Sequence, residues 1–314
     1  MTTEFQTWID GDENAIDLQL RGNNRLMFYY GQFCVADLAI DKSGMQFQIQ
    51  VAGKNDPELI PVPYGRDLTR VPELKNDLPG MVQNAAAWCD ENRPTTPYAS
   101  RRGRGFHLNQ LIGEYGRRWR NTDPWLLLDR YGFVQPKSAN EDRVTRKPII
   151  DGYAGTLKQY AGPRRSLLDG SLKAPCVTDT CDLVGVNQNG ELLTINVCDG
   201  EQSRERLAAA LIHTACARDV FSAALPNIDA DLRRLWRQKV ELGLVPRGTE
   251  QLSARAFTGV KGTLFIVNPP KDPSGQISEL RNIMNEHPNL RMPIVCWRDR
   301  EEFTTVETSE PKCV

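Results

Sequence analysis

Asp182, Asn196 and Cys198 are the residues whose types and spacing come nearest to a reactive centre. Two apolar runs, Leu183 to Val186 and Leu192 to Val197, flank Gln188-Asn189-Gly190. Asn-Gly signals a tight reversal with a residue at positive φ, so a hairpin is expected. With a three-residue loop, Asn187 pairs with Glu191, and counting back sets Asp182 opposite Asn196 on a face shared with Val184, Thr194 and Cys198. Leu183, Leu193, Ile195 and Val197 take the other face, and Glu191 falls on the wrong side to assist Asp182. Both faces are largely apolar, which suits strands inside a covered sheet. A loop one residue shorter or longer would change every pair.

An Asp opening one strand, a Gly-containing turn, and a second strand ending in an acidic-x-Lys pair is the pattern of the PD-(D/E)XK nuclease superfamily. The stretch from Ser138 to Trp297 resembles it. Asp182 occupies the Asp position, Asn196 stands where the second carboxylate belongs, and Cys198 stands where the lysine belongs. The resemblance implies an α+β chain whose C-terminal domain is a mixed sheet flanked by helices, restriction-endonuclease-like.

The departures bear on the chemistry. Mg²⁺ is held by one or two carboxylates with waters and phosphate oxygens, and Asn keeps a carbonyl but loses the charge. A Cys is a weak neutral donor below its usual pKa of about 8.5, so it cannot replace a fixed cation that stabilises charge on phosphate. The expected function is therefore non-catalytic: a degenerate nuclease-like subunit that binds nucleic acid or scaffolds a larger assembly with a protein partner, in the setting of prokaryotic genome defence. No cofactor is expected. One rival is an active Mg²⁺-dependent nuclease in which Asp182 ligates metal with a relocated acid from Glu141, Asp142, Asp199 or Glu201, and Lys173 supplies the cation. Another is a protein-interaction subunit with no nucleic-acid role, and an ordinary buried hairpin with an Asp at its edge stays open beside all three.

Arg101, Arg102 and Arg104, followed by Arg117, Arg118 and Arg120, form the densest basic segment. Phe106, Leu108, Leu111, Ile112 and Tyr115 between them have helical spacing, which gathers arginines at both ends of a short amphipathic helix. Arginine beside glycine and aromatic side chains suits phosphate contact and base stacking. The plain alternative is a solvated interdomain linker.

Three regions are expected: a β-rich domain over 1–95, a basic connector over 96–137 and the nuclease-like domain over 138–314. Alternation of Ile16, Leu18 and Leu20, and of Met45, Phe47, Ile49 and Val51 with glutamines, predicts half-buried antiparallel strands around the run Phe33 to Ile40. A short helix is expected at Met81 to Trp88, ahead of the connector, and another within it at Trp125 to Leu128. Further on, helices are expected over Ser203 to Ala224, Asp229 to Leu242 and Ile277 to Glu286, with strands at Thr263 to Asn268 and Pro293 to Trp297. Gly259 to Thr263 reads as a turn, because it lacks phosphate-loop spacing.

The 314 residues suffice for two cores, and 40% apolar with 25% charged content is that of a globular protein. A net charge of -1 gives no global attraction to a polyanion, so nucleic acid would need a local patch. No run of about 18 apolar residues and no signal-peptide pattern is present, which points to a cytoplasmic protein without membrane contact. Eight scattered cysteines read as reduced thiols. Cys176, Cys181, Cys198, His213 and Cys216 lack the paired spacing of a zinc site, and His213 reads as a helical packing residue.

Overall fold

The computed structural model describes residues 16–21, 25–30, 33–41, 44–51, 58–61, 76–77, 80–84, 87, 104–161, 164–165, 172–173, 175–270, 273–298 and 302–306. The chain is α+β and divides into two units, one of residues 1–123 with 234–253, the other of 124–233 with 254–314.

In the first unit, β1 (Ile16–Arg21), β2 (Arg25–Tyr30), β3 (Phe33–Asp41), β4 (Gly44–Val51) and β5 (Glu58–Pro61) form an antiparallel sheet in chain order. The strands are antiparallel as expected, Leu18 pairing with Phe28 and Phe28 with Ala36, all three buried, but they are not half-buried, because Asp17, Gln19 and Asp37 are buried as well. Buried polar groups must then be bonded. Gln19 donates to both oxygens of Asp17 at 2.7 and 2.8 Å and accepts from Lys239 Nζ at 2.6 Å, all three being nearly inaccessible. Arg25 grips the buried Asp37 with two donors. Helix α1 (Arg104–Ile112) runs into a π turn at Gly113–Arg117, and Asn109 donates to the Tyr29 carbonyl at 3.3 Å.

The second unit is built on a six-stranded mixed sheet. Its strands are β6 (Trp125–Gly132), β9 (Cys181–Asn187), β10 (Leu192–Asp199), β11 (Val260–Val267), β12 (Ile294–Arg298) and β13 (Glu302–Val306), lying in that spatial order. β7 (Arg164–Arg165) and β8 (Leu172–Lys173) form a separate two-residue pairing. β6, β9 and β10 are antiparallel neighbours, whereas β10, β11 and β12 run parallel. Parallel neighbours need crossovers, supplied here by helix α3 (Arg204–Glu241) and helix α4 (Ser274–Glu286). One sheet face, through Cys198, Leu264, Ile266, Ile294 and Cys296, packs in a single core with Tyr153 and Leu157 of α2 (Lys147–Tyr160), Leu207 to Val220 of α3 and Ile277 to Met284 of α4. On the opposite face Leu183, Ile195, Val197 and Phe265 are also buried, and Trp125 meets Phe265 edge-on with ring centres 5.2 Å apart.

Several sequence expectations are corrected. Trp125 to Leu128 is a strand, not a helix in a connector, so the 96–137 segment is divided between the two units. A short apolar run has no period that separates strand from helix, and all four of these residues are buried although β6 is an edge strand of the sheet. The two helices expected on either side of Pro226 are one helix of 38 residues. Pro226 removes one backbone donor, and packing on both flanking stretches carries the helix past it. Gly243, at φ 72°, ends that segment as expected. Gly262 lies inside β11, not in a turn. Of the helix expected at Met81 to Trp88, 81–84 and 87 are helical and the rest lies outside the described residues.

Candidate functional site

The hairpin register is the one the turn predicts. Leu192 pairs with Val186, Thr194 with Val184 and Ile195 with Leu183, while Asn187 donates to the Glu191 carbonyl at 3.1 Å. Gly190, at φ 76°, donates to the Asn187 carbonyl at 3.0 Å. The same count sets Asp182 opposite Asn196.

At this end the ladder is completed by side chains. Asp182 Oδ2 accepts the Val197 N–H at 2.8 Å, and Asn196 Oδ1 accepts the Asp182 N–H at 3.2 Å. Each residue thus caps a backbone amide of the other strand. Asn196 Nδ2 then donates to Thr214 Oγ1 of α3 at 3.1 Å, and that hydroxyl donates to the Ala210 carbonyl at 2.7 Å.

Helix α3 can come this close because β11 carries Gly262, where a Cβ would stand 3.3 Å from Thr214 Cγ2 and 3.4 Å from Arg218 Cβ. The consequence is burial: Asp182, Asn196 and Cys198 are 4%, 6% and 4% exposed. The sequence count set Asp182 opposite Asn196, as their hydrogen bonds have it, but it had no access to Thr214, whose position depends on how the helix seats.

Asp129 is a second acid, directly after the stretch Trp125 to Leu128, which fits a helix as well as a strand in sequence. In β6 it pairs with Val184, next to a register shift at Leu127 and Asp129, on the face that Asp182 shares. Burial pushes the Cys181 thiol pKa up, and the charges of Asp182 and Asp129 push it further. A thiol held protonated and buried is not a nucleophile at neutral pH.

Three of the acids considered for a relocated site, Glu141, Asp142 and Asp199, have local partners. Glu141 accepts the Lys137 N–H at 2.6 Å, and Asp199 accepts the Glu201 N–H at 3.0 Å. Asp142 meets Arg146 Nη1 at 2.8 Å, while Arg146 also holds the buried Asp179 through Nε at 2.6 Å and Nη2 at 2.9 Å. Lys173 lies in β8, with its side chain outside the described residues. His213 accepts the Thr178 N–H on Nδ1 at 3.2 Å, as a packing residue of α3. Among the described residues no group of three or more His, Cys, Asp or Glu side chains gathers as a metal site.

The basic segment belongs to the first unit. Arg101 and Arg102 lie outside the described residues, as does the side chain of Arg104, which opens α1. Arg117 closes the π turn, and Arg118 Nε stands 3.9 Å from Glu114. A Cβ on Gly113 would meet Arg117 Nη2 at 3.4 Å and Arg118 Nη2 at 3.7 Å, so both guanidinium groups fold back over the same glycine. Arg120 is exposed, and its N–H donates to Asp123 Oδ2 at 2.6 Å.

Among the described residues no helix is long and apolar enough to cross a membrane. Compared with family models, with curated proteins and with solved structures, the chain matches none of them.

Proposed function

We propose that the second unit is a restriction-endonuclease-like fold of the PD-(D/E)XK kind whose motif positions now serve the sheet, and that the chain is a non-catalytic nucleic-acid-binding or scaffolding subunit. The observation that carries this reading is the Asp182–Asn196 closure. Both side chains accept backbone amides of the facing strand, and the Asn amide is further engaged by Thr214. A metal-holding carboxylate has to present oxygen lone pairs to an ion, a phosphate and water. An uncharged amide and a thiol in place of acid and lysine leave little to balance a developing phosphate charge.

Three strands in antiparallel order, then a helix and a strand parallel to the third, support the fold-level part of the proposal. Support for nucleic acid comes from Arg117 and Arg118, two cations gathered over Gly113 beside the exposed Arg120. A larger assembly, such as those of prokaryotic genome defence, is the setting this role suits.

The test is paired. The purified full chain is assayed for Mg²⁺- and Mn²⁺-dependent cleavage of single- and double-stranded DNA and RNA, and for binding to the same strands across a salt series. Binding that weakens with salt, without cleavage, supports the proposal. Metal-dependent cleavage abolished by Asp182→Ala would establish the active-nuclease reading instead. Neither binding nor cleavage at moderate salt would leave the protein-interaction subunit as the better account.

A further inference from the structure

We infer that Asn189 is a site of spontaneous deamidation, gated by opening of the hairpin turn. Asn189-Gly190 is the only Asn-Gly pair in the chain. Glycine has no Cβ to keep its backbone nitrogen from the preceding side-chain carbonyl, and it visits conformations other residues avoid. Asn189 is exposed, and a Cβ on Gly190 would have one neighbour within 4 Å, Thr258 Cγ2 at 3.9 Å. The approach is sterically open.

The chemistry needs only water. The Gly190 nitrogen gives its proton to solvent base and attacks Asn189 Cγ, forming a C–N bond. The bond from Cγ to the side-chain nitrogen breaks, and that nitrogen leaves as ammonia. Water then opens the cyclic imide at one of its two carbonyls, giving Asp or its β-linked isomer, in which the backbone is longer by one carbon.

Hydrogen bonds of the turn oppose the first step. The Gly190 N–H donates to the Asn187 carbonyl at 3.0 Å, and the Asn189 N–H donates to Asn187 Oδ1 at 3.0 Å. From the other side, the Thr258 N–H donates to the Gly190 carbonyl at 3.0 Å and its hydroxyl to the Asn189 carbonyl at 3.2 Å. The nucleophile is therefore released only when the turn opens, and the conversion rate reports how often that occurs.

The product also matters locally. A new carboxylate arises beside Glu191, whose own carboxylate is held by Asn187 Nδ2 at 2.7 Å and Lys261 Nζ at 3.2 Å. The β-linked isomer would additionally break the spacing that lets Gly190 reach Asn187.

The full chain is incubated in mildly alkaline buffer, folded and in urea, and its peptides are mapped by mass for amide-to-acid exchange, with isoaspartate scored by enzymatic methylation. The expected result is conversion at Asn189 ahead of every other asparagine of the folded chain, severalfold faster in urea, and absent in Asn189→Gln. Gly190→Ala should also slow it, but this variant strains a positive φ, so Asn189→Gln decides the site. Conversion led by a different asparagine would overturn the assignment of the site. Equal rates in the folded and urea-treated chain would overturn the gating.

Discussion

Asp182 and Asn196 close one end of a hairpin by trading side-chain acceptors for backbone donors, Asp182 Oδ2 taking the Val197 N–H and Asn196 Oδ1 taking the Asp182 N–H. The same two residues are those that a nuclease-like pattern would assign to metal. Their bonding gives both residues a packing role: a buried amide left without an acceptor is costly whether or not the site does chemistry.

Asp182→Ala removes the acceptor of a buried N–H. The variant should lose about 1–3 kcal/mol of stability, read as a lowered urea midpoint with an unchanged slope. A midpoint equal to wild type would show that the closure contributes nothing.

Asn196→Asp keeps an acceptor for Asp182 but exchanges the donor toward Thr214 for a buried negative charge facing a second carboxylate. Burial and the neighbouring charge would raise the introduced acid's pKa above the unfolded value of about 3.9. A raised acid is harmless below its unfolded pKa and costs stability as pH rises toward the folded pKa. The variant should therefore be near wild type around pH 4 and clearly weaker at neutral pH, in urea titrations at several pH values. A pH-independent difference would contradict this.

Arg146→Met leaves the Asp179 carboxylate, whose side chain is 5% exposed, without its two-pronged partner. About 3 kcal/mol of destabilisation is expected, the low end for breaking a buried pair, because Arg146 is itself partly exposed. Thermal or urea unfolding measures it, and partial recovery in Arg146→Met with Asp179→Asn would identify the stranded charge as the cause.

Replacing Arg117, Arg118 and Arg120 by Ala should weaken nucleic-acid binding while the far-ultraviolet dichroism stays unchanged. The slope of log affinity against log salt should flatten by about 0.7 to 0.9 for each phosphate that the patch no longer neutralises. Unchanged affinity and slope would remove these arginines from the proposed interface.

Glu191 carries an acid-sensitive contribution at the turn. Burial acts to raise its carboxyl pKa, but hydrogen bonds from Asn187, Lys261 and Asn189 outweigh it and hold the group below the ordinary range. A depressed acid stabilises the fold above its unfolded pKa, about 4.3, and that contribution fades as pH falls through the folded value. Glu191→Gln should thus flatten the loss of stability on the acid side while changing little below pH 3, in acid-unfolding curves of the two proteins.

The local grammar of the hairpin was legible without coordinates. Asn189-Gly190 flanked by apolar runs defines the loop, and in a period-two strand the loop length dictates every pair back to Asp182 and Asn196. The alternating N-terminal strands were readable for the same reason. Trp125 to Leu128 was not, since a short unbroken apolar run fits a buried strand and a buried helix equally. Once it is a strand, Asp129 moves to the face of Asp182, a relation that no spacing in the chain announces. Likewise, nothing near Asn196 in sequence points to Thr214, 18 residues on. That hydrogen bond exists because Gly262, from a third segment, leaves room for the helix to settle on the sheet. The sequence alone determined which residues face each other across one turn, since hairpin pairing is a short-range count. Tertiary packing alone decided that those residues are covered and bonded into the core, since burial depends on the volume left by side chains distant in the chain.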